Sequence, residues 1–310
     1  MTSDSSNLGG KPGISKASEG ILSIDKPGGM TSHDVVNRIR RLSGIRRVGH
    51  AGTLDPLATG VLLVCIGRAT RLVEYLVGQP KVYEATIRLG QSTNTYDADG
   101  EILTERPLDD LTPERLIESL AQFRGVIQQL PPMYSAIKKD GQPLYKLARK
   151  GIEVERAARE VTVYELELLD YALPEVRVRV TCSSGTYIRA LAHDLGEVLG
   201  CGGHILTLRR TAVGDFLVQE AAPLLELDLA SLAAKLQPSD SAVDQLPRLA
   251  LSEPDTQSVL LGQRVARSEE TTSAALVRAY DPAGRFIGIL AAAEDQSWQP
   301  HKIFHPVAEV

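Results

Sequence analysis

The chain has 310 residues, 43% hydrophobic and 24% charged, with a formal net charge of -5, an ordinary composition for a globular protein of about two domains. Its three cysteines (Cys65, Cys182, Cys201) are scattered without a C-x-x-C, and its six histidines lack ligand spacing, so neither a disulfide framework nor a zinc site is expected. No apolar run approaches a membrane span, no charged-then-apolar leader opens the chain, and no phosphate-loop or dinucleotide motif occurs; the expectation is a cytoplasmic protein without metal, cofactor or membrane contact.

Residues 1–19 are polar, rich in Ser, Gly and Lys, and aperiodic, which predicts a disordered tail. A short strand at Ile21-Leu22-Ser23-Ile24-Asp25 is stopped by Lys26-Pro27-Gly28-Gly29. Thr31 with Asp34 then resembles a capping box, Val35, Val36, Ile39 and Leu42 give one helical stripe, and Gly44 is a natural stop. The arginines of this helix fall off the stripe and face outward, towards the next loop. That loop, Gly49-His50-Ala51-Gly52-Thr53-Leu54-Asp55-Pro56-Leu57-Ala58-Thr59-Gly60, is punctuated by glycines and runs into a strand apolar enough to be buried, 61–66. Pro56 biases Asp55 to an extended conformation, which holds its carboxylate on a stiff loop; by spacing alone the stretch reads first as a simple turn.

A helix is expected over 68–77, then a half-buried strand over 81–90 in which Tyr83, Ala85, Ile87 and Leu89 share one face. Residues 91–100 read as a polar loop within a hairpin, and Thr112-Pro113-Glu114 as a capped helix start. Further strands are expected over 161–168 and 175–182. After them Ser183-Ser184-Gly185-Thr186-Tyr187-Ile188-Arg189 runs into a helix, which places the Arg189 cation at the unfavourable end of the helix dipole and calls for an anionic partner. A mostly helical connector, 217–246, with its helix at 227–236 and loops at Pro223 and Pro238, leads to a small β region with a hairpin around 281–284.

The net charge alone argues against a nucleic-acid partner, but its distribution argues for one. Residues 217–310 hold 13 acids against 7 Lys/Arg, whereas Arg38, Arg40, Arg41, Arg46 and Arg47 run without an intervening acid. A second group, Lys138, Lys139, Lys146, Arg149 and Lys150, encloses only Asp140. Such clusters suit local phosphate contacts, although either alone could be a solvated helix face.

The Gly49–Gly60 stretch, the Lys26-Pro27-Gly28-Gly29-Met30-Thr31-Ser32 segment, Lys81-Val82-Tyr83, the Tyr187-Ile188-Arg189 segment and Leu208-Arg209-Arg210-Thr211 together resemble the tRNA pseudouridine synthases of the TruB type. The resemblance covers 20–310 and is strongest over 21–100 and 123–211. It implies an α+β fold: a mixed, mainly antiparallel sheet with flanking helices over 20–246, and a small PUA-like RNA-binding β domain over 247–310. It implies that Asp55 is the catalytic residue, that Arg189 pairs with it and favours its ionised form, and that Tyr83 stacks on the target base. His50 would fill the place the base vacates, Leu208 would border the base, and Lys26 and Tyr187 would belong to the substrate site. An insertion at 123–151, built as a Pro-Pro loop and a basic helix, would grip RNA, with Arg46, Arg47, Lys138, Lys139, Lys146 and Lys150 on its backbone. The implied substrate is a uridine of the tRNA T-loop, position 55, the implied partner the tRNA T-arm without a guide RNA, and the implied state a monomer.

Two other classes remain open at this stage. A retaining glycosidase would need a second carboxylate beside Asp55, and none lies in its motif. A non-catalytic RNA-binding or tRNA-folding module would need only the basic clusters. A pseudouridine synthase with an Arg-Leu-Asp signature, or one acting on another RNA, is a closer competitor, but Thr53-Leu54-Asp55 lacks that arginine.

Overall fold

The computed structural model describes residues 19–139, 141–267 and 274–304. The tail reading of 1–19 lies outside these except at Glu19, whose carboxylate pairs with Arg68 at 2.7 Å. β1 (Gly20–Lys26) is followed by α1 (Ser32–Ser43), which starts at the capping box read from the sequence: Asp34 N–H donates to Thr31 Oγ1, and Thr31 N–H to the Asp34 carboxylate at 3.0 Å. Gly44, at φ 72°, ends it. β2 (Val48–Ala51) and β3 (Thr59–Ile66) pair antiparallel, so the Asp55 loop is a hairpin connection and His50 lies on a strand, opposite Val64, rather than in the loop.

The single helix expected over 68–77 is instead a 3₁₀ turn, Gly67–Leu72, continued by α2 (Val73–Gly78). Gly67 at φ +67° and the bond from Thr70 Oγ1 to its carbonyl, 2.8 Å, favour the tighter winding. β4 (Lys81–Leu89) carries the expected alternation, β5 (Gln91–Thr93) and β6 (Ile102–Glu105) form the hairpin, and α3 (Pro113–Ala121) starts at the Thr112 cap.

Beyond β7 (Gly125–Gln129), the basic helix expected in the insertion is a two-stranded hairpin, β8 (Lys138–Lys139) with β9 (Gln142–Pro143), and a short α4 (Leu144–Ala148). Gly141 at φ 80° turns the chain, Pro143 precedes the helix, and Gly151 at φ 71° lies just past its end. Asp140 lies outside the described residues. β10 (Arg159–Ala172), β11 (Glu175–Cys182), α5 (Ile188–Leu199), β12 (Gly203–Val213), β13 (Phe216–Leu217) and β14 (Ala222–Pro223) follow. The connector carries its α-helix within the expected span, α6 (Leu229–Lys235), while Pro223 and Pro238 each lead into a 3₁₀ turn. The C-terminal part comprises β15 (Arg248–Ala250), α7 (Glu253–Leu260), β16 (Val265–Ala266), β17 (Leu276–Tyr280), β18 (Phe286–Ala292) and β19 (Ser297–Ile303).

The main sheet runs β14-β1-β3-β12-β4-β11-β10-β7, with β2 on β3 and β13 on β12. Only the β1–β14 and β3–β12 pairs are parallel, so the sheet is mixed and mainly antiparallel, as the resemblance implied. One face carries α1, α3 and α5 over Leu22, Ile24, Leu62, Val64, Ile87 and Val178. On the other, Ile21, Val61 and Leu63 pack with Leu72 and Leu76, with Ile289 of the C-terminal sheet, β15-β17-β18-β19-β16, and with Phe304 just past its last strand. Being covered on both faces explains why 61–66 is continuously apolar rather than alternating.

Candidate active site

The loop between β2 and β3 is held from below. Ser32 Oγ donates to the Leu54 carbonyl at 3.1 Å and accepts from the Leu54 N–H at 2.9 Å, and Gly29 N–H donates to the Pro56 carbonyl at 2.9 Å. Lys26 is fully buried and donates to the carbonyls of Pro27 (2.9 Å), Met30 (2.7 Å) and Pro56 (3.3 Å). The amine thus braces the loop that carries Asp55. Burial also draws the Lys26 pKa down to about 8. At the end of the loop, Gly60 takes φ +100°, and a Cβ there would stand 2.1 Å from the Arg210 carbonyl, so only glycine lets β3 and β12 close.

Asp55 projects from this frame with 37% of its side-chain surface open to solvent. Its partner is Arg189, 4% exposed, at the second position of α5. Nε of Arg189 stands 2.9 Å from Oδ2 without the alignment of a hydrogen bond, while Nη2 donates to Oδ1 at 3.3 Å. The same guanidinium donates to the Thr95 carbonyl (2.9 Å) and the Tyr134 carbonyl (2.7 Å) and faces Asp97 Oδ2 at 3.2 Å. The cation at the helix start therefore has the anionic company that the dipole requires, supplied twice.

Asp97 was not singled out in the sequence, where it sits in an apparently polar loop. It is buried, its Oδ1 accepting from Thr95 Oγ1 at 2.5 Å and Asp99 N–H at 3.2 Å. A carboxylate so occupied braces Arg189 and is not free to act as the second acid of a glycosidase. It also changes the electrostatics. Burial pushes the Asp55 carboxyl above the ordinary carboxylate value, Arg189 pulls it down, and the nearby Asp97 pushes it up again. The sequence reading had Arg189 favouring the ionised form of a partly desolvated carboxylate; the influence of Asp97 is what it lacked.

Tyr83, on β4, is 8% exposed and faces the helix-covered side of the sheet with Leu208 of β12. Burial raises the pKa of its hydroxyl. Tyr187 caps the start of α5, and Gln129 of β7 clasps its backbone, accepting from its N–H at 2.8 Å and donating to its carbonyl at 3.0 Å. His50 is half-buried, with Nδ1 unpaired among the described residues; burial, then Arg210 and His33, lower its pKa and favour the neutral ring.

Of the basic residues read as backbone contacts, Arg46, Lys138, Lys146 and Lys150 are exposed and their side chains make no bond among the described residues. Arg47 is tied to Thr70 Oγ1 (2.7 Å) and Lys139 to the Glu155 carbonyl (2.8 Å). The C-terminal sheet differs. Arg264, Arg278 and Arg285 are paired with Asp295, Asp244 and Asp281, Arg248 and Arg267 lie over Tyr280 and Trp298, and Lys302 pairs with Glu74. No group of three or more His, Cys, Asp or Glu among the described residues is placed to hold a metal ion. No helix among them is long and apolar enough to cross a membrane.

Comparison with known proteins follows this geometry. Residues 40–188 match the TruB family pseudouridylate synthase N-terminal domain, 189–248 the tRNA pseudouridylate synthase B C-terminal domain, and 247–303 the pseudouridine synthase II TruB C-terminal family. The protein named tRNA pseudouridine synthase B of Dehalococcoides mccartyi is 44% identical over 290 residues, covering 92% of this chain and 96% of that one. The protein of the same name from Ralstonia nicotianae is 46% identical over 297 residues, covering 92% and 94%. Among solved structures, a Cbf5-Nop10-Gar1 complex matches with a TM-score of 0.70 at 27% identity, covering 93% of this chain and 85% of that one. With this identity sustained over nine-tenths of its length, the chain belongs to the TruB family of pseudouridylate synthases.

Proposed function

We propose that this chain isomerises the uridine at position 55 of the tRNA T-loop to pseudouridine, acting alone on the T-arm, without a guide RNA, as a cytoplasmic monomer. The observation that carries the reading is the Asp55 carboxylate, fixed on a braced loop, paired with a buried arginine and still open on one side. The reaction breaks the N1–C1′ bond, turns the uracil and joins C5 to C1′. A carboxylate must then reach a sugar or ring that normally lies stacked in the RNA. Extruding that base costs a few kcal/mol, offset by stacking of about 1–3 kcal/mol on an aromatic ring, the role assigned to Tyr83. Neutral His50 fills the vacated space, Leu208 and Tyr187 border the base, and Arg189 holds Asp55 ionised and oriented.

The relatives it resembles are named as tRNA enzymes, which supports tRNA as substrate. Phosphate contacts are assigned to Arg46, Arg47, Lys138, Lys139, Lys146 and Lys150. Residues 247–310 keep the PUA-like assignment, but with their described cations already engaged inside the protein they are given the smaller share of RNA binding. The test is to map pseudouridine in tRNA from cells lacking the protein and from the same cells carrying Asp55→Asn. Loss at position 55, restored by the native chain and not by Asp55→Asn, is expected. Restoration by Asp55→Asn would remove Asp55 as the catalytic group.

A further inference from the structure

The segment Thr95-Tyr96-Asp97 meets α5 at two places one helical turn apart. Arg189 and His193 stand four residues apart on that helix, so their side chains share a face. Nη1 of Arg189 donates to the Thr95 carbonyl at 2.9 Å and faces Asp97 Oδ2 at 3.2 Å. From the residue between these two, the Tyr96 ring lies flat on the His193 imidazole, with centroids 3.9 Å apart and planes 8° from parallel. Neither ring has a part in the proposed reaction. Tyr96 also departs from ordinary backbone geometry. Its φ is 65°, and among the described residues Gln296 alone of the other non-glycines shares a positive φ. A tyrosine held there is strained, because its Cβ crowds the backbone. Such a conformation persists only where the surroundings over-determine it.

Three contacts hold it. Tyr96 N–H donates to the Thr93 carbonyl at 3.3 Å, the Tyr96 carbonyl accepts from the Ile205 N–H of β12 at 3.1 Å, and the ring stacks on His193. The two backbone bonds are open to any residue but proline; the stack needs a flat ring. We propose that Tyr96 is a positioning residue for Asp55, acting through Arg189: its stack on His193 holds the 95–97 turn left-handed, and the turn so held brings the Thr95 carbonyl and the Asp97 carboxylate onto the guanidinium. With that side of the fork occupied, Nε and Nη2 stay aimed at Asp55, 2.9 Å from Oδ2 and 3.3 Å from Oδ1. Without the stack the turn relaxes and both contacts loosen together. The guanidinium, left with the Tyr134 carbonyl, then swings off the Asp55 carboxylate. The inference rests on the proposed catalytic place of Asp55.

The experiment is a double-mutant cycle on the full chain with Tyr96→Ala, Arg189→Lys and the pair, and with Tyr96→Phe beside them. It is read by single-turnover tritium release from tRNA tritiated at C5 of uridine, with tRNA affinity and thermal melting measured alongside. Tyr96→Ala keeps the strain and loses the stack, and is expected to slow release by about tenfold, the rate equivalent of one stacked pair, with affinity within about threefold. Tyr96→Phe keeps the ring face and should stay within about twofold of the native rate. Because the effect runs through the guanidinium, adding Tyr96→Ala to Arg189→Lys should cost less than about threefold more. A merely structural tyrosine would lower the melting temperature and slow both backgrounds alike, so equal losses in the two would overturn the proposal. Release by Tyr96→Phe as slow as by Tyr96→Ala would overturn it too, since the stack would not be the cause. Near-normal release by Tyr96→Ala would overturn it while leaving the Asp55 reading standing, since Asp55→Asn tests that separately. If Tyr96→Ala does not fold, His193→Ala removes the same stack with a helix-favouring residue. A loss of about tenfold in the native background that is absent from Arg189→Lys then supports the inference, and an equal loss in both refutes it.

Discussion

Replacing Arg189 with lysine separates charge from shape. The guanidinium serves the carbonyls of Thr95 and Tyr134 and the carboxylates of Asp55 and Asp97 from one plane. An ammonium has three donors radiating from a single atom and cannot meet four acceptors set around a fork. With at least two charge-assisted bonds lost at about 1.5–3 kcal/mol each, the cost is about 3–6 kcal/mol, in a fold whose whole margin is about 5–15 kcal/mol. Part appears as stability and part as poor placement of Asp55; about 2 kcal/mol in the second share slows turnover roughly thirtyfold. Urea denaturation and single-turnover assays on Arg189→Lys measure the two shares, with tRNA affinity changing little. An unchanged urea midpoint together with turnover within about twofold of the native chain would refute the pairing as a working part of the site.

Arg189→Ala is expected to move the acid limb of residual activity to higher pH: Asp55 must be ionised to act, burial and Asp97 already raise its pKa, and the opposing cation is removed; a limb that stays put refutes this. Lys26→Met strands three carbonyls and should cost about 2–4 kcal/mol of stability with tRNA affinity nearly unchanged, whereas a collapse of affinity at constant melting temperature would place Lys26 at the substrate. Gly60→Ala sets a methyl 2.1 Å from the Arg210 carbonyl and should yield insoluble or strongly destabilised protein, judged by expression and denaturation. Charge reversal at Arg46 and Arg47, or Lys146 and Lys150, should flatten the log–log salt dependence of tRNA binding by about 0.7–0.9 per phosphate lost, while Arg264→Glu leaves it unchanged; the opposite pattern would move the footprint to the C-terminal sheet.

What the sequence disclosed were features whose causes are local. Thr31 with Asp34, Thr112 with Pro113, and Gly44 each satisfy or end a helix within a few residues, and each forms as read. The need of Arg189 for an anion was legible because a helix dipole is a property of position alone. Asp97 stayed hidden because its long-range contacts are with α5 and β12, distant in the chain, and a carboxylate in a Thr-Asn-Thr-Tyr-Asp loop looks solvated. Arg210 stayed hidden because Arg209 and Arg210 are indistinguishable as letters; the strand pleat sends Arg209 to an exposed pair with Asp25 and Arg210 into the interior. The missed 3₁₀ turn at 67–72 shows a backbone constraint at Gly67 overriding an apolar period.

The position of Arg189 also bears on how the molecule comes into being. Its bonds join it to residues 134, 94 and 55 positions away along the chain, at Asp55, Thr95 and Tyr134. Contacts of such separation form late, because long loops must close before they are rewarded. The β2–β3 hairpin bearing Asp55 can assemble early, but its carboxylate lacks its cation until α5 docks and the insertion lies down. A nascent or half-folded chain therefore carries the loop without a working acid, and competence arrives only with the finished molecule.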